Sequence, residues 1–495
     1  MASAQTTGAA SFLKLPTELM DQIASLLPRS ALRALALTSK KANVSATDTL
    51  YKTYLNRTAP AKAPFHLFLR TVCERPDLAA KVKLVDIRGW RSEYEVATGA
   101  AWRGVTEFRD VDQVEKSGPS FTSTEKSVRD SAAARFKLFV GAAVKAGIVM
   151  EPTSLSVSAL KASIVWYTTL KEDGDFLRLL RRGVEDAQLV LMLALLPNME
   201  DLRIDGLSPF PLLDCTALQK VSALHINGSN TSVEEPVVKN SLQIFDIMPN
   251  LRSIYLMAIA AGGHNFTTKA LPSTRLEGVV LLKCAVNVRL LRKIMIGQSL
   301  VIMAYRPAPA QVDAVTGSDI ALPDLLASFA HSKLSLQRLM LFSSGNKSGK
   351  SNLKSFGNLK TLIIPLLDLL SIPFDEAEPD TIHALLKDQL PATLKHITLR
   401  YMTSNIQTKM VIEQLAVLKM QNVLPDLDKA TFNFISAVSS SFVSATMINI
   451  DGPTGEFAAD TTWESLPEME KMVRKDCGKL YEDAGICMVV EQTDR

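Results

Sequence analysis

The amino-acid sequence predicts an α/β protein: three short helices at the N-terminus, then a solenoid with a parallel sheet and outer helices. Three observations carry this expectation. A pattern of the form L-x-x-L-x-L recurs from about residue 199 to residue 432. Several copies follow a helical stretch that ends in Leu-Pro or Met-Pro, as in "LLPNMEDLRI", "IMPNLRSIYL", "LPATLKHITL" and "VLPDLDKATF". Near the N-terminus, residues 13–54 instead place their leucines and isoleucine at helical spacing.

Composition bounds the classes. A chain of 495 residues allows two to four domains, at about 150 residues each, or one long array. Hydrophobic content of 47% and charged content of 21% are those of a folded protein. The formal charge of +4 is too small to make nucleic acid the expected partner. Cys73, Cys215, Cys284, Cys477 and Cys487 are odd in number, scattered and never in C-x-x-C, so reduced thiols are expected rather than disulfides or structural zinc. "MASAQTTGAASF" has no basic start followed by an apolar run, and residues 1–11 read as a disordered tail without a signal peptide. The densest apolar run, "LVLMLALLP" at 189–197, is far shorter than the roughly 20 residues of a membrane span. The expected location is cytoplasmic or nuclear, with no membrane partner.

The first helix should begin at Pro16, whose missing N–H suits a first turn, with Glu18 near its positive end. Leu19, Ile23, Leu26 and Leu27 then form one apolar stripe. Pro28 closes it. Ser30 is the candidate N-cap of a second helix carrying Leu32 and Leu35, and a third runs from about Ser39 to Tyr54. Below about forty residues a folded unit usually needs metal, disulfides or a partner, and no Cys or His cluster lies here. Something else must cover the stripe.

Residues 12–56, "LKLPTELMDQIASLLPRSALRALALTSKKAN" through the closing Leu50-Tyr51, resemble an F-box. The matching elements are Leu15-Pro16, Glu18, Ile23, the Leu26-Leu27-Pro28 stop, Leu32, Leu35 and "LTSK" at 37–40. Tyr51 stands where many family members have tryptophan. The resemblance implies a three-helix unit that docks on the Skp adaptor, and through it a cullin, of an SCF-type ubiquitin ligase. Carried over by position, the adaptor-binding residues are Leu15, Pro16, Leu19, Ile23, Leu27, Leu32 and Leu35.

Residues 57–74 read as a linker entering a short helix, and 75–90 as a strand with Val82, Leu84 and Ile87 at its apolar positions. A polar insertion follows at 91–124, rich in Gly, Ser and Thr. Helices are expected at 125–148, ended by Gly147, and near 156–171 and 175–196.

The repeat motifs centre on Leu202, Leu224, Ile254, Val279, Leu339, Leu362, Ile397 and Ala430, with a further strand near Ile302. Intervals of 22, 30, 25, 60, 23, 35 and 33 overlap and exceed the leucine-rich-repeat period of about 20–29. Only "LEGVVLLKC" completes the repeat template, at Cys284. The expectation for 75–495 is therefore an irregular leucine-rich-repeat solenoid, in which stacking buries leucines that no repeat could bury alone. Its alternative is a two-layer α/β domain. Residues 463–495 should cap its end with a helix and a last strand.

The search for chemistry yields no catalytic, cofactor or metal site. "SSGNKSGKSN" at 343–352 carries Gly349-Lys350-Ser351, the tail of a phosphate-binding loop, but Ser344 stands where G-x-x-x-x-G-K-[ST] needs glycine. His66, His225, His264, His331, His383 and His396 are isolated, and His225 and His396 read as solvent-facing sheet positions. "RLLRR" at 178–182 and "DEAEPD" at 375–380 read as a solvated helix face and a loop.

The expected function, implied by the resemblance, is that of a non-catalytic substrate-recognition adaptor. The helices would hold the ligase and the solenoid would present a substrate protein, of unknown identity, for ubiquitination. The alternatives are an interaction scaffold without ligase function and a nucleotide-binding protein using the "SGNKSGKS" loop.

Overall fold

The computed structural model describes residues 15–56, 65–87, 123–149, 185–205, 216–227, 248–258, 275–286, 288–307, 320–342, 352–370, 378–402, 406–435 and 468–493, with isolated positions near 177 and 260. The N-terminal tail, nearly all of the polar insertion, the helix near 156–171 and the loops at 343–351 and 451–462 lie outside the described residues. The chain divides into two units, one of residues 1–229 and 240–251, the other of 230–239 and 252–495.

The first unit opens with α1 (Thr17–Leu26), α2 (Arg29–Ala36) and α3 (Lys40–Lys52). Two caps differ from expectation. Pro16 is itself the N-cap of α1, and α2 starts directly after Pro28, whose backbone (φ −67°, ψ 157°) replaces the cap expected from Ser30. Ser39 does cap α3, its Oγ accepting from the Ala42 N–H at 3.1 Å.

Helix α3 stops two residues short of Tyr54, because the chain becomes extended there. Strand β1 (Thr53–Asn56) pairs in parallel with β2 (Leu84–Ile87). Tyr54 stacks on Phe68 with ring centroids 3.8 Å apart and meets Phe65 edge-on at 6.1 Å. Both partners belong to α4 (Phe65–Glu74), which occupies most of the span expected to be a linker. A short α5 (Pro76–Ala79) leads into β2, where Val85 and Ile87 are fully buried and Leu84, expected at an apolar position, is only half-buried.

Helix α6 (Ser123–Lys145) ends as expected at Gly147, whose φ of 71° lets the Ile148 N–H reach the Ala143 carbonyl at 3.0 Å. The apolar run at 189–197 falls largely in α7 (Glu185–Ala194), where Leu189 to Leu193 are all buried, as suits a helix hydrophobic on every side. No helix among the described residues is long and apolar enough to cross a membrane. Strands β3 (Asp201–Asp205) and β4 (Ala223–Asn227) complete the parallel order β1-β2-β3-β4.

The second unit is built on β5 (Ser253–Met257), β7 (Gly278–Val286), β8 (Ile302–Pro307), β9 (Arg338–Leu341), β10 (Thr361–Pro365), β11 (His396–Met402), β12 (Lys429–Ile435) and β13 (Cys487–Thr493), with the short β6 (Ala260–Ala261) beside β7. These strands lie in chain order and all described pairings are parallel. Between them run α8 (Val288–Met295), α9 (Leu322–Ser328), α10 (Leu366–Leu370), α11 (Pro379–Gln389), α12 (Ile406–Met420) and α13 (Glu468–Asp483). The acidic stretch expected to be a loop thus ends inside α11, with Pro379 in its first turn.

Register explains the recurring motif. Ile254, Val279, Met303, Leu339, Leu362, Ile397, Ala430 and Met488 stand side by side across the strands. In the first unit Tyr54, Val85, Leu202 and Leu224 do the same. Every motif centre named from the sequence is buried. Because side chains alternate along a strand, each centre and its neighbour two residues on share one face. Helices pack on that face: Phe432 meets Tyr481 of α13.

Backbone bonding repeats with the strands. The Gln337 carbonyl accepts from the N–H groups of Lys360 and Thr361, that of Lys360 from Lys395 and His396, and that of Lys395 from Asp428 and Lys429. Side chains just ahead of the strands reach back too. Asn198 Nδ2 donates to the Ala80 carbonyl (2.7 Å), Asn250 Nδ2 to that of Gln219 (2.6 Å), and Thr393 Oγ1 to that of Leu359 (3.1 Å). Asn198 and Asn250 are the asparagines of "LLPNMEDLRI" and "IMPNLRSIYL". Cys284 is buried after a register shift in β7, and its Sγ–H lies 3.3 Å from the Leu256 carbonyl.

Candidate functional site

The three N-terminal helices enclose a small core of Ala24, Leu32 and Ala46, packed about by Leu27, Leu35, Ala36 and Leu50. Helix α1 carries two apolar faces where one stripe was expected. Met20 and Ala24 point inward and are fully buried. Leu19, Ile23 and Leu26, at i, i+4 and i+7, share another face, on which Leu19 is 43% and Leu26 85% exposed. Leu37, just past α2, is 87% exposed, and Val44 on α3 is exposed as well. Burial of a leucine relative to leaving it in water is worth about 1.5–3 kcal/mol.

The seven residues carried over from the resemblance divide by burial. Pro16 and Leu19 are exposed, and Leu15, Ile23, Leu27 and Leu35 are half-buried. Leu32 is 3% exposed and serves packing of the helices. Leu26, Leu37 and Val44 are exposed but are not among the seven. The position of Leu26 three residues after Ile23 was the available signal. Leu37 opens the "LTSK" match, but its exposure depends on where α2 ends. The Leu15 carbonyl accepts from Lys41 Nζ at 2.5 Å, tying the entry of α1 to α3.

The second unit offers a different surface. On the sheet face opposite Met303, Leu339 and Leu362, an apolar group forms from Val280, Leu282, Ala304 and Met340. Tyr255, Ile302, Phe342 and Ile363 pack against it and remain partly exposed. The Arg400 guanidinium lies over the Phe342 ring, 4.9 Å from its centroid. Burial, followed by the charge of Lys429, holds the His396 imidazole below its ordinary pKa; Lys395 and Arg338 add to this and Asp428 opposes it.

The described histidines are dispersed. His225 Nε2 lies 3.7 Å from Asp201, which also pairs with Arg203 at 2.7 Å. His383 Nδ1 bonds Gln414 Oε1 at 2.9 Å, His66 is buried and His331 is exposed. Among the described residues, no three His, Cys, Asp or Glu side chains are grouped as metal ligands. Cys73, Cys284, Cys477 and Cys487 are free thiols, and burial pushes Cys73 up to about 12, which keeps it protonated at neutral pH. The "SGNKSGKS" loop and His264 lie outside the described residues.

No protein-family model matches the chain, and no curated protein matches it.

Proposed function

We propose that the protein is the substrate-recognition adaptor of an SCF-type ubiquitin ligase. In this reading its N-terminal helices are an F-box that docks on a Skp-type adaptor, and its strand–helix repeats are an irregular leucine-rich-repeat solenoid that holds a substrate protein. The observation that carries the reading is the exposed apolar surface of Leu19, Leu26 and Leu37, outside the core of the three helices whose sequence resembles an F-box. A folded helical unit that keeps leucines in water is built for an apolar partner. Leu19, Leu26, Leu37 and Val44, at up to about 1.5–3 kcal/mol each, would supply a gain of the same order as the cost of association. The chain would contribute proximity and selection, and the assembled ligase the transfer of ubiquitin.

The test is co-purification with a Skp-type adaptor. Wild type binds, and the Leu15→Ala/Pro16→Ala variant, folded by its unfolding transition, does not. Absence of binding by folded wild type overturns the reading. A scaffold without ligase function separates at the next step: the ligase reading requires a substrate that persists longer when this chain is deleted.

A further inference from the structure

The strands of the second unit run parallel and in chain order, so the turns that enter them share one edge of the sheet. Four successive turns on this edge, at 296–301, 329–337, 352–360 and 387–395, lead into β8, β9, β10 and β11. They hold Lys333, Lys354, Lys360, Lys387 and Lys395, all exposed, and Asp388 is their one carboxylate. The cations just ahead of this group are already paired: Arg252 meets Glu277 at 3.2 Å and Arg292 meets Asp324 at 3.3 Å. Among the described residues the five lysines have no carboxylate partner. The Lys354 ammonium reaches the Lys387 carbonyl at 3.5 Å, so neighbouring turns lie side by side.

Two aliphatic side chains stand out of the same edge. Ile296 is 63% and Leu334 77% exposed. Packing in these turns falls to other residues: Leu300, Leu336, Leu359 and Leu394 are fully buried. The Phe329 and Phe356 rings are buried as well, with centroids 5.8 Å apart. At a strand spacing of about 4.8 Å the four turns span about 14 Å at the sheet.

We propose that this edge rests on an anionic lipid membrane surface, with Ile296 and Leu334 entering the headgroup layer and the lysines meeting the lipid anions. The inference goes beyond the proposed function and does not depend on it. The expectation of no membrane partner rested on the lack of a span, and peripheral contact needs none. Composition selects this occupant. Protein interfaces are enriched in Arg and aromatic side chains and depleted of Lys. These turns carry no arginine and expose no Phe, Tyr or Trp ring. A nucleic acid would take the lysines but leave Ile296 and Leu334 in water, and single strands use exposed aromatic platforms. A bilayer surface takes both kinds of side chain. Anionic leaflets attract clustered lysines, whose stems lie along apolar surface while the ammonium groups stay with the headgroups.

Flotation of the full-length protein with liposomes tests this. Phosphatidylcholine vesicles with about one-third phosphatidylserine should carry the protein up the gradient, and pure phosphatidylcholine vesicles should not. Lys333→Glu/Lys360→Glu should lower the partition coefficient at least tenfold. Lys475→Glu/Lys479→Glu, the same charge change on exposed lysines of α13, should stay within twofold of wild type. Ile296→Ser/Leu334→Ser should lower it at least threefold, which separates insertion from purely electrostatic capture. Unfolding transitions must match wild type; if that of Lys333→Glu/Lys360→Glu does not, Lys354→Glu/Lys387→Glu takes its place. No binding to the anionic vesicles, equal binding to neutral ones, equal loss in the α13 control, or binding indifferent to Ile296 and Leu334 each overturns the proposal. The last outcome is what a nucleic-acid site would give. Adaptor co-purification is scored separately, so failure of the helical unit and failure of this edge are distinguishable.

Discussion

Phe432 and Tyr481 meet edge-on, with ring centroids 5.7 Å apart and planes at 88°, and the Tyr481 hydroxyl donates to the Ile412 carbonyl at 2.8 Å. One residue thus joins β12, α12 and α13. Both rings are fully buried. Tyr481→Phe keeps the packing and loses one buried hydrogen bond, an expected cost of about 1–2 kcal/mol. Tyr481→Ala also opens a cavity and should cost about 3–5 kcal/mol. Chemical denaturation of the two variants checks the order, and equal losses contradict it.

Leu26, Leu37 and Leu32 should separate docking from stability. Leu26→Ala/Leu37→Ala removes exposed side chains and should leave unfolding within about 0.5 kcal/mol of wild type. Under the proposed function it weakens adaptor binding at least tenfold. Leu32→Ala opens the core shared with Ala24 and Ala46 and should destabilise the helices by about 2–5 kcal/mol. Titration calorimetry with the adaptor, beside thermal melts, reads both.

Asp368 lies in α10 between buried leucines, and burial raises its carboxyl to about 7. The unfolded carboxyl titrates near 3.9. Between these values the folded protein holds a proton that the unfolded chain has lost. The stability from this group is therefore present below about pH 4 and falls away as pH rises through 7. Asp368→Asn should match wild type near pH 4 and exceed it at pH 8, by an amount on the order of 2 kcal/mol. A stability–pH profile unchanged by the substitution contradicts this.

Asn198 donates to the Ala80 carbonyl and accepts from Lys220 Nζ at 2.7 Å, linking segments far apart in sequence. Asn198→Ala should cost about 1–2 kcal/mol and speed amide exchange around residues 80–83. Asn250→Ala, which removes the bond to Gln219, should act similarly around residue 219. Hydrogen exchange on the intact chain measures both.

Strand centres were legible because burial imposes an apolar residue at one place per repeat. Leu202, Leu224, Leu362 and Ile397 needed no alignment to be found, and the structure pairs Leu202 with Leu224 and Leu362 with Ile397. Tyr54 was misplaced because "LYKTYL" suits the end of a helix as well as an edge strand, and only its pairing with Val85 decides. Met20 and Ala24 were missed for a related reason. A 3.6-residue period locates apolar faces without saying which looks inward. The register row of Arg338, Thr361, His396 and Lys429 on the second unit's sheet was invisible for a stronger reason. Arg338, His396 and Lys429 are dozens of residues apart in sequence and become neighbours only through pairing.

Helix α3 ends at Lys52 and β1 begins at Thr53, with the Arg29 guanidinium bonded to the Thr53 carbonyl at 2.8 Å. No slack separates the helical unit from the first strand of the sheet. A flexible tether would let a bound cargo sample many orientations, at an effective concentration set by linker length. A direct splice transmits torque instead. Whatever grips the helices also fixes the heading of β1 and of the sheet that begins with it. The bearing of the first unit is thereby aimed rather than searched.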